Sequence, residues 1–143
     1  MSSSLITFQK EEKLSFPFKG KEAIKKWIKQ VIAVEGKKCG ELLYFFCTDK
    51  YLLGINKKFL NHDTYTDIIT FDYSADKSIS GEIYISIERV KENAAIYEQP
   101  FNDELKRTLI HGVLHLCGYS DKTKAQKEEM RQKENFALSM FKG

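Results

Sequence analysis

The sequence predicts a single α+β domain over residues 1–143, with a small mixed β-sheet of about four strands and four to five helices. The chain is close to the common size of one domain and shows no repeat, low-complexity segment or linker. Apolar residues make up 42% and charged residues 30%, as in an ordinary globular protein. Helical and strand patterns alternate along the whole length, so one mixed domain is expected.

The first half of the chain predicts strand, helix, strand and helix. SLITFQKE begins with alternating polarity and predicts a short strand. Residues 19–34 carry apolar side chains at helical spacing with lysines between them, and Gly36 ends this helix. The aromatic-rich CGELLYFFCT predicts a buried strand, after which Asp49 is expected to cap a short helix that continues through Leu60.

The second half begins with two strand signals, TDIITFDY and ISGEIYIS, whose polar spacer predicts a hairpin. Ser86 is expected to cap the next helix, which Pro100 stops. Asn102 is expected to cap a helix that continues through LKRTLIHGVLHLC to Gly118. An amphipathic helix over residues 123–141 completes the domain.

The N-terminal segment, the apolar stretches and the cysteines indicate the cellular compartment. The N-terminal MSSSLITFQKEEK is unlike a secretory signal, and no apolar stretch approaches the roughly 18 residues of a membrane-spanning helix. Three cysteines show no paired spacing, which indicates free thiols. We therefore expect a cytoplasmic protein with no membrane partner.

The charge is uneven along the chain. Residues 1–62 carry 12 lysines and 6 acidic residues, a net charge of +6, whereas residues 63–143 carry a net charge of −3. A basic half of this kind could contact a phosphate backbone. The alternative is that the lysines form only the solvated side of an amphipathic helix.

Two histidines share the helix predicted over residues 105–117, which is apolar almost all round at its C-terminal end and should be buried centrally. At about 100° per residue, His111 and His115 lie about 40° apart and one turn along the axis. Their imidazoles can converge on one metal ion, although histidines at this spacing also occur on apolar helices without a metal. Cys117 lies about 200° from His115 and is expected to pack rather than bind.

The residues after this helix can complete a metal site. Gly118 permits a left-handed cap that reverses the chain and can bring Asp121 over the histidine pair. Two imidazoles and one carboxylate leave a coordination position open, as a catalytic site requires. Gly112 stands where zinc peptidases with HExxH have their glutamate base, which argues against a protease. We also expect Gly112 to leave room for a bulky substrate near the metal.

The stretch HGVLHLCGYSD resembles the HGxLHLxGYDH motif of the YbeY family of metal-dependent endoribonucleases. INKKFLNHDTYTDIITF and ISGEIYIS resemble two further segments of that family, as do Met130 and Glu134 in the last helix. The resemblance covers residues 55–134. It implies a single-strand-specific endoribonuclease that matures the 3′ end of small-subunit rRNA and acts in ribosome quality control.

The resemblance also implies the site and its partners. His111, His115 and Asp121 would be both the catalytic and the metal-binding residues, with one divalent ion, zinc before nickel or manganese. The partners would be single-stranded RNA or rRNA, and the ribosome or small-subunit proteins and assembly factors. Candidate RNA contacts are Lys57, Lys58, Thr66, Asp67, Glu82 and Tyr119, although turn, strand-surface or packing roles compete for the last four.

Three positions depart from the family's motif. Asp121 replaces its third histidine, Ser120 replaces its aspartate, and Leu60 stands where it usually has arginine. A carboxylate is an accepted zinc ligand, so metal binding should survive, but the anionic ligand should make bound water less acidic. Lys57 and Lys58 are the candidate replacements for the missing arginine. His62 is expected to take no part in the site.

Two other functions remain open on the sequence. The chain could be a non-catalytic ribosome-assembly factor in which a structural metal clamps the turn between Gly118 and Asp121 to the helix. Two histidines and one carboxylate also describe the sites of non-haem iron oxygenases, although the sequence shows no co-substrate pocket.

Overall fold

The computed structural model describes residues 5–61 and 66–142. Its four strands are β1 (Leu5–Lys10), β2 (Lys38–Cys47), β3 (Ile68–Asp72) and β4 (Ser78–Ser86). They form one mixed sheet in the order β1-β2-β4-β3. Strands β1, β2 and β4 run parallel, and β3 is antiparallel to β4, as predicted for the hairpin.

Within the described residues, five helices complete the domain: α1 (Lys21–Val34), α2 (Asp49–Leu60), α3 (Ile87–Ile96), α4 (Phe101–Leu116) and α5 (Lys124–Ser139). The predicted α+β class, with a four-stranded mixed sheet and five helices, is therefore confirmed. None of the helices in the described part of the chain has the length and apolar character needed to cross a membrane. Cys39, Cys47 and Cys117 are free thiols, as expected.

The two faces of the sheet are covered differently. On one face, Tyr44, Phe46, Ile83 and Ile85 are buried in the main core, to which α1 and α4 contribute most of the helical side chains. On the other face, a smaller cluster forms around the buried residues Cys47, Leu52 and Ile69, and Phe45, Ile55, Phe71 and Tyr84 pack against it. We call these the main face and the α2 face. The α2 face is only partly covered.

Helix α4 is held against the main face by close contacts. The Tyr44 hydroxyl donates a hydrogen bond to the Leu109 carbonyl oxygen at 3.0 Å. A Cβ added at Gly112 would lie 2.9 Å from Cγ2 of Ile83 and 3.1 Å from Cδ1 of Ile68. Gly112 therefore lets the helix approach the sheet. The expectation that it leaves room for a substrate is wrong, because isoleucine side chains of the sheet fill that space.

Two predicted helix caps lie elsewhere. Thr48, not Asp49, caps α2: its side chain accepts a hydrogen bond from the Tyr51 amide, whereas the Asp49 carboxylate pairs with Arg89 at 3.0 Å. Helix α4 begins after Pro100, whose carbonyl oxygen accepts the Asp103 and Glu104 amides, so Asn102 lies inside the first turn.

One predicted cap is confirmed. Ser86 caps α3, accepting from the Arg89 amide. Helix α5 begins after Thr123, which forms a reciprocal capping box with Gln126. The Trp27 indole of α1 donates to the Ala137 carbonyl oxygen at 2.7 Å, which ties α5 to the core.

Candidate metal centre

His111 and His115 project from consecutive turns at the C-terminal end of α4. Their Nε2 atoms lie 3.0 Å apart, and the two rings are almost perpendicular, at 80°. Their side chains are 21% and 25% exposed, so they are held by the core yet accessible from solvent. Helical spacing thus brings two imidazole nitrogens to one point, as the sequence predicted.

The turn after α4 adds the third side chain. Gly118 has a φ of 107°, a conformation that favours glycine, and the chain reverses there. Oδ2 of Asp121 lies 3.2 Å from Nε2 of His111 and 3.5 Å from Nε2 of His115. Within the described ranges, these three residues form the one group of histidine, cysteine, aspartate or glutamate side chains close enough to hold a metal ion.

The size of this triangle can be compared with the needs of a metal. Ligand atoms about 2.0 to 2.2 Å from a tetrahedral zinc ion lie about 3.3 to 3.6 Å from one another. The three separations of 3.0, 3.2 and 3.5 Å are close to that range. The donor set, two nitrogens and one carboxylate oxygen, is also one that zinc accepts. The residues therefore fit a divalent ion with at least one coordination position left open.

The other nitrogen of each ring is already engaged. Nδ1 of His115 lies 3.0 Å from the Tyr119 carbonyl oxygen, which can only accept, so this nitrogen carries the proton. Nδ1 of His111 lies 2.6 Å from Oε2 of Glu134. An ionised Glu134 likewise requires a proton on Nδ1 of His111. Each neutral ring then presents the lone pair of Nε2 to the centre, the state needed of a metal ligand.

Glu134 is buried, with a side chain only 7% exposed, and it bridges two partners. Its Oε1 accepts from Nη1 of Arg107 at 2.8 Å, and Nη2 of Arg107 donates to Oδ1 of Asn135 at 2.7 Å. Burial alone would raise the pKa of Glu134, but the hydrogen bonds from His111 and Arg107 lower it overall. Burial alone would lower the pKa of His111, but Glu134 and Asp121 raise it overall. The ionised carboxylate is thus maintained beside His111.

Tyr119 is fixed by contacts at both ends. Its hydroxyl donates to Oε1 of Glu35, the C-cap of α1, at 2.6 Å, while its carbonyl oxygen accepts from His115. Nζ of Lys133 lies 5.4 Å from the centre of the Tyr119 ring and 3.6 Å from Oε2 of Glu35. The turn that carries Asp121 is therefore connected to both α1 and α5.

Thr66 and Asp67 lie immediately before β3. The Asp67 carbonyl oxygen accepts from the Ser86 amide at 3.0 Å, and the Thr66 hydroxyl donates to the Ile68 carbonyl oxygen at 3.4 Å. Burial raises the pKa of Asp67, whereas His111 lowers it and the charges of Glu134 and Asp121 raise it further. The charges of the histidine cluster thus act on the Asp67 carboxylate.

The other candidate RNA contacts lie apart from the cluster. Glu82 accepts from the Tyr84 hydroxyl at 2.6 Å on the α2 face, whereas α4 packs on the main face. Lys57 and Lys58 are exposed in the last turn of α2. His62 lies outside the described residues. Burial raises the pKa of the Cys117 thiol to about 11, and this residue packs against the core.

Sequence reasoning missed the supporting contacts of the centre. In the sequence, Glu134 stands out only as a match to a family motif, and no pattern points to Glu35 or Arg107. The available signal was the position of Glu134 on the apolar side of an otherwise charged helix, one turn after Met130. A carboxylate on the buried side of a helix needs a partner, and a buried histidine is a suitable one.

Comparison with known proteins identifies the family of the chain. A sequence model of the family described as Endoribonuclease YbeY matches residues 6–142. A protein of Flavobacterium psychrophilum named Endoribonuclease YbeY is 50% identical over 137 residues, covering 96% of each chain. One of Parabacteroides distasonis with the same name is 46% identical over 130 residues, covering 91% of this chain and 92% of its own.

A solved structure is similar as well. The solution structure of a Thermotoga maritima protein superposes with a TM-score of 0.66 at 25% identity, covering 96% of this chain and 89% of that one. The match to the family thus extends over nearly the whole chain in sequence, and a known structure shares the fold. The chain belongs to the YbeY family of endoribonucleases.

Proposed function

We propose that this protein is a metal-dependent, single-strand-specific endoribonuclease that matures the 3′ end of small-subunit rRNA and takes part in ribosome quality control. Family membership and the names of its relatives support RNA cleavage. The observation that carries metal dependence is the triangle of His111, His115 and Asp121, in which the contacts of both rings direct Nε2 to one point.

The cofactor in this proposal is one divalent ion, with zinc preferred for a donor set of two imidazoles and a carboxylate. When bound, such an ion supplies Lewis acidity that polarises a phosphoryl oxygen and lowers the pKa of water. His111 and His115 bind through Nε2, and Asp121 binds through a carboxylate oxygen. Glu134 and the Tyr119 carbonyl oxygen orient the two rings by holding the protons on their Nδ1 atoms.

Asp121 gives the site a more negative charge than a third histidine would. A carboxylate ligand favours ions that accept oxygen donors and should make bound water less acidic. We therefore expect Asp121→His to move the acidic limb of the pH–rate profile to lower pH. An unchanged profile in a folded variant that still binds zinc would argue against a ligand role for Asp121.

The RNA in this proposal approaches the centre past the segment that precedes β3. Thr66 and Asp67 lie at that segment, and Lys57 and Lys58 stand in the last turn of the helix before it. These lysines supply positive charge for phosphate groups. Ribosomal or assembly proteins would present the rRNA, and the work would take place in the cytoplasm.

The test is cleavage of a labelled single-stranded RNA by the purified protein, with and without a chelator. A His111→Ala/His115→Ala variant is assayed beside it, with thermal unfolding to confirm that the variant folds. We expect cleavage only with both the metal and the histidines present. Equal cleavage by the wild type and the variant would indicate a contaminant. Absence of cleavage by the metal-loaded wild type would favour the assembly-factor alternative.

A further inference from the structure

A groove runs along the exposed side of α2, on the α2 face of the domain. Its volume is about 560 Å³, and helix residues line most of it: Lys50, Tyr51, Gly54, Ile55, Lys58 and Phe59. Tyr51 is 42% exposed and Phe59 61% exposed, so both aromatic rings are accessible to a ligand. We call this cavity the α2 groove.

The groove has one basic edge and one apolar edge. At about 100° per residue, Lys50, Gly54 and Lys58 lie on one side of Tyr51 around the helix axis, and Ile55 and Phe59 lie on the other. Tyr51 and Phe59 are eight residues apart, or about 12 Å along the axis. The two edges meet at Lys58, whose Nζ lies 5.3 Å from the centre of the Phe59 ring, so a ligand in the groove meets positive charge beside an aromatic face.

The two exposed rings are held in place by rings beneath them. Tyr51 packs against Phe45 with ring centres 5.3 Å apart, and Phe59 packs edge-on against Phe71 at 6.0 Å. Phe45 and Phe71 each contact Tyr84, at 5.7 Å in both cases. The five rings form one arc across the sheet, whose two ends are exposed in the groove. Such rings lose little conformational freedom when a flat group stacks on them.

At the end of the groove near the start of α2, the Glu11 carboxylate already has hydrogen-bond partners. Oε1 of Glu11 accepts hydrogen bonds from the Thr48 amide at 2.7 Å and from the Thr48 hydroxyl at 3.0 Å. This carboxylate therefore joins the end of β1 to the cap of α2. Gly54 forms a gap midway, where an added Cβ would meet no atom within 4 Å. The open length of the groove thus lies between Tyr51 and Phe59.

The α2 groove and the candidate metal centre approach the same edge strand from opposite faces of the sheet. Phe59 contacts Phe71 of β3 on the α2 face, while Ile68 of β3 packs at Gly112, beside His111, on the main face. The α2 groove and the candidate metal centre are thus both adjacent to β3, one on each face of the sheet.

We propose that the α2 groove binds a segment of single-stranded RNA outside the cleavage site, with bases stacked on Tyr51 and Phe59 and phosphates facing Lys50 and Lys58. The assignment rests on the proposed RNA substrate; it includes Lys58, already proposed as a phosphate contact, and adds Lys50, Tyr51 and Phe59 to the contacts. Single strands expose base faces for stacking on aromatic side chains and carry phosphates that attract cations. An RNA duplex buries its base faces, so it cannot use the aromatic edge.

Affinity is measured by fluorescence anisotropy with a labelled oligouridine of about 12 nucleotides, in a chelator so that no metal-dependent cleavage occurs. Tyr51→Ala and Phe59→Ala are each expected to weaken binding about tenfold, because one stacked base is lost. Lys50→Ala/Lys58→Ala should reduce the slope of log affinity against log salt by about 0.7 per lost phosphate contact, whereas the aromatic variants should leave the slope unchanged. Phe136→Ala, which removes another exposed aromatic ring on α5, is the matched control.

A second measurement guards against a folding defect. Gly54→Glu places a carboxylate in the groove at a position where an added Cβ meets open space, and glutamate favours helices. It should lower single-strand affinity without lowering thermal stability, and Gly54→Gln should lower the affinity less. If Gly54→Glu and the folded aromatic variants bind oligouridine as tightly as the wild type, the proposal is overturned. An apolar segment of a partner protein would then be the better candidate ligand for the groove.

Failure of the groove assignment is distinguishable from failure of the proposed nuclease activity. If metal-loaded wild type cleaves RNA while the groove variants bind and cleave as well as it does, the groove assignment alone is wrong. If the groove variants lose affinity but the wild type never cleaves, the groove assignment stands and the nuclease proposal falls. With both correct, groove variants raise KM for long single-stranded RNA and leave kcat unchanged.

Discussion

Nδ1 of His111 lies 2.6 Å from Oε2 of Glu134, a carboxylate from the last helix of the chain. The same carboxylate holds Arg107 through its other oxygen, so it is fixed between two cationic or proton-donating partners. Because Glu134 fixes the proton on Nδ1, it determines which nitrogen of His111 faces Asp121. The ligand geometry of the candidate centre thus depends on the packing of α5 against α4.

We expect Glu134→Gln to weaken zinc binding about 10- to 100-fold, the usual effect of losing a partner of a metal-binding histidine. Glutamine keeps an oxygen acceptor but loses the charge that holds the Nδ1 proton. Competition with a chromophoric chelator measures the affinity, and Glu128→Gln, an exposed change on the same helix, is the control. Zinc affinity equal to that of the control would mean that Glu134 serves packing alone.

Tyr119 offers a second test of how the centre is positioned. Tyr119→Phe removes the hydrogen bond to Glu35 but keeps the ring, and should lower the free energy of unfolding by about 1 kcal/mol. It should also weaken zinc binding, because the turn whose carbonyl oxygen holds His115 is released from α1. Urea denaturation and chelator competition report the two effects. Tyr97→Phe, at an exposed tyrosine, should change neither, and a similar loss there would point to a non-specific cause.

Two glycines in helices should respond oppositely to alanine. Gly112→Ala should destabilise the protein, since overpacking against Ile83 and Ile68 costs about 1 to 3 kcal/mol and the gain in helix propensity is only about 1 kcal/mol. Gly54→Ala should stabilise it by about 1 kcal/mol, because the added methyl meets no atom within 4 Å. Thermal and urea unfolding compare the pair. Equal stabilisation by both changes would contradict the close approach of α4 to the sheet.

The sequence predicted those features that depend on local spacing. The pairing of His111 with His115 follows from helical geometry, and the return of Asp121 follows from the turn at Gly118. Ser86 could be identified as a cap because a cap acts on amides two or three residues away. The prediction that Asp49 caps α2 was wrong by one residue. Thr48 and Asp49 can both cap a helix, and Asp49 instead pairs with Arg89, 40 residues later.

The features that escaped prediction depend on packing between distant segments. Glu134 meets His111 only because α5 lies along α4, and Glu35 meets Tyr119 across 84 residues. Periodicity gave the faces of α4 but not which face would meet the sheet, so Gly112 was assigned to the substrate side. Glu82 alternates with Ile83, and the sequence could not show that α4 would cover the isoleucine.

Glu104 gives a prediction for stability against pH. It is a buried carboxylate in the first turn of α4, 7% exposed, and burial raises its pKa above the usual value of 4.5, although Arg107 lowers it in part. A carboxyl group whose pKa is higher in the folded than in the unfolded state costs no stability below the unfolded pKa. The cost grows as the pH rises from the unfolded pKa towards the folded pKa, and it is complete above the folded pKa.

We therefore expect Glu104→Gln to unfold at a higher temperature than the wild type near neutral pH, where the buried charge is a cost. The difference should shrink as the pH falls and vanish below about 4, where glutamate is neutral in both states. Asp103→Asn, at the exposed neighbour in the same helical turn, is the matched control. A Glu104→Gln variant that is less stable at neutral pH would show that the ionised carboxylate stabilises the fold through Arg107, and that its charge outweighs the cost of burial.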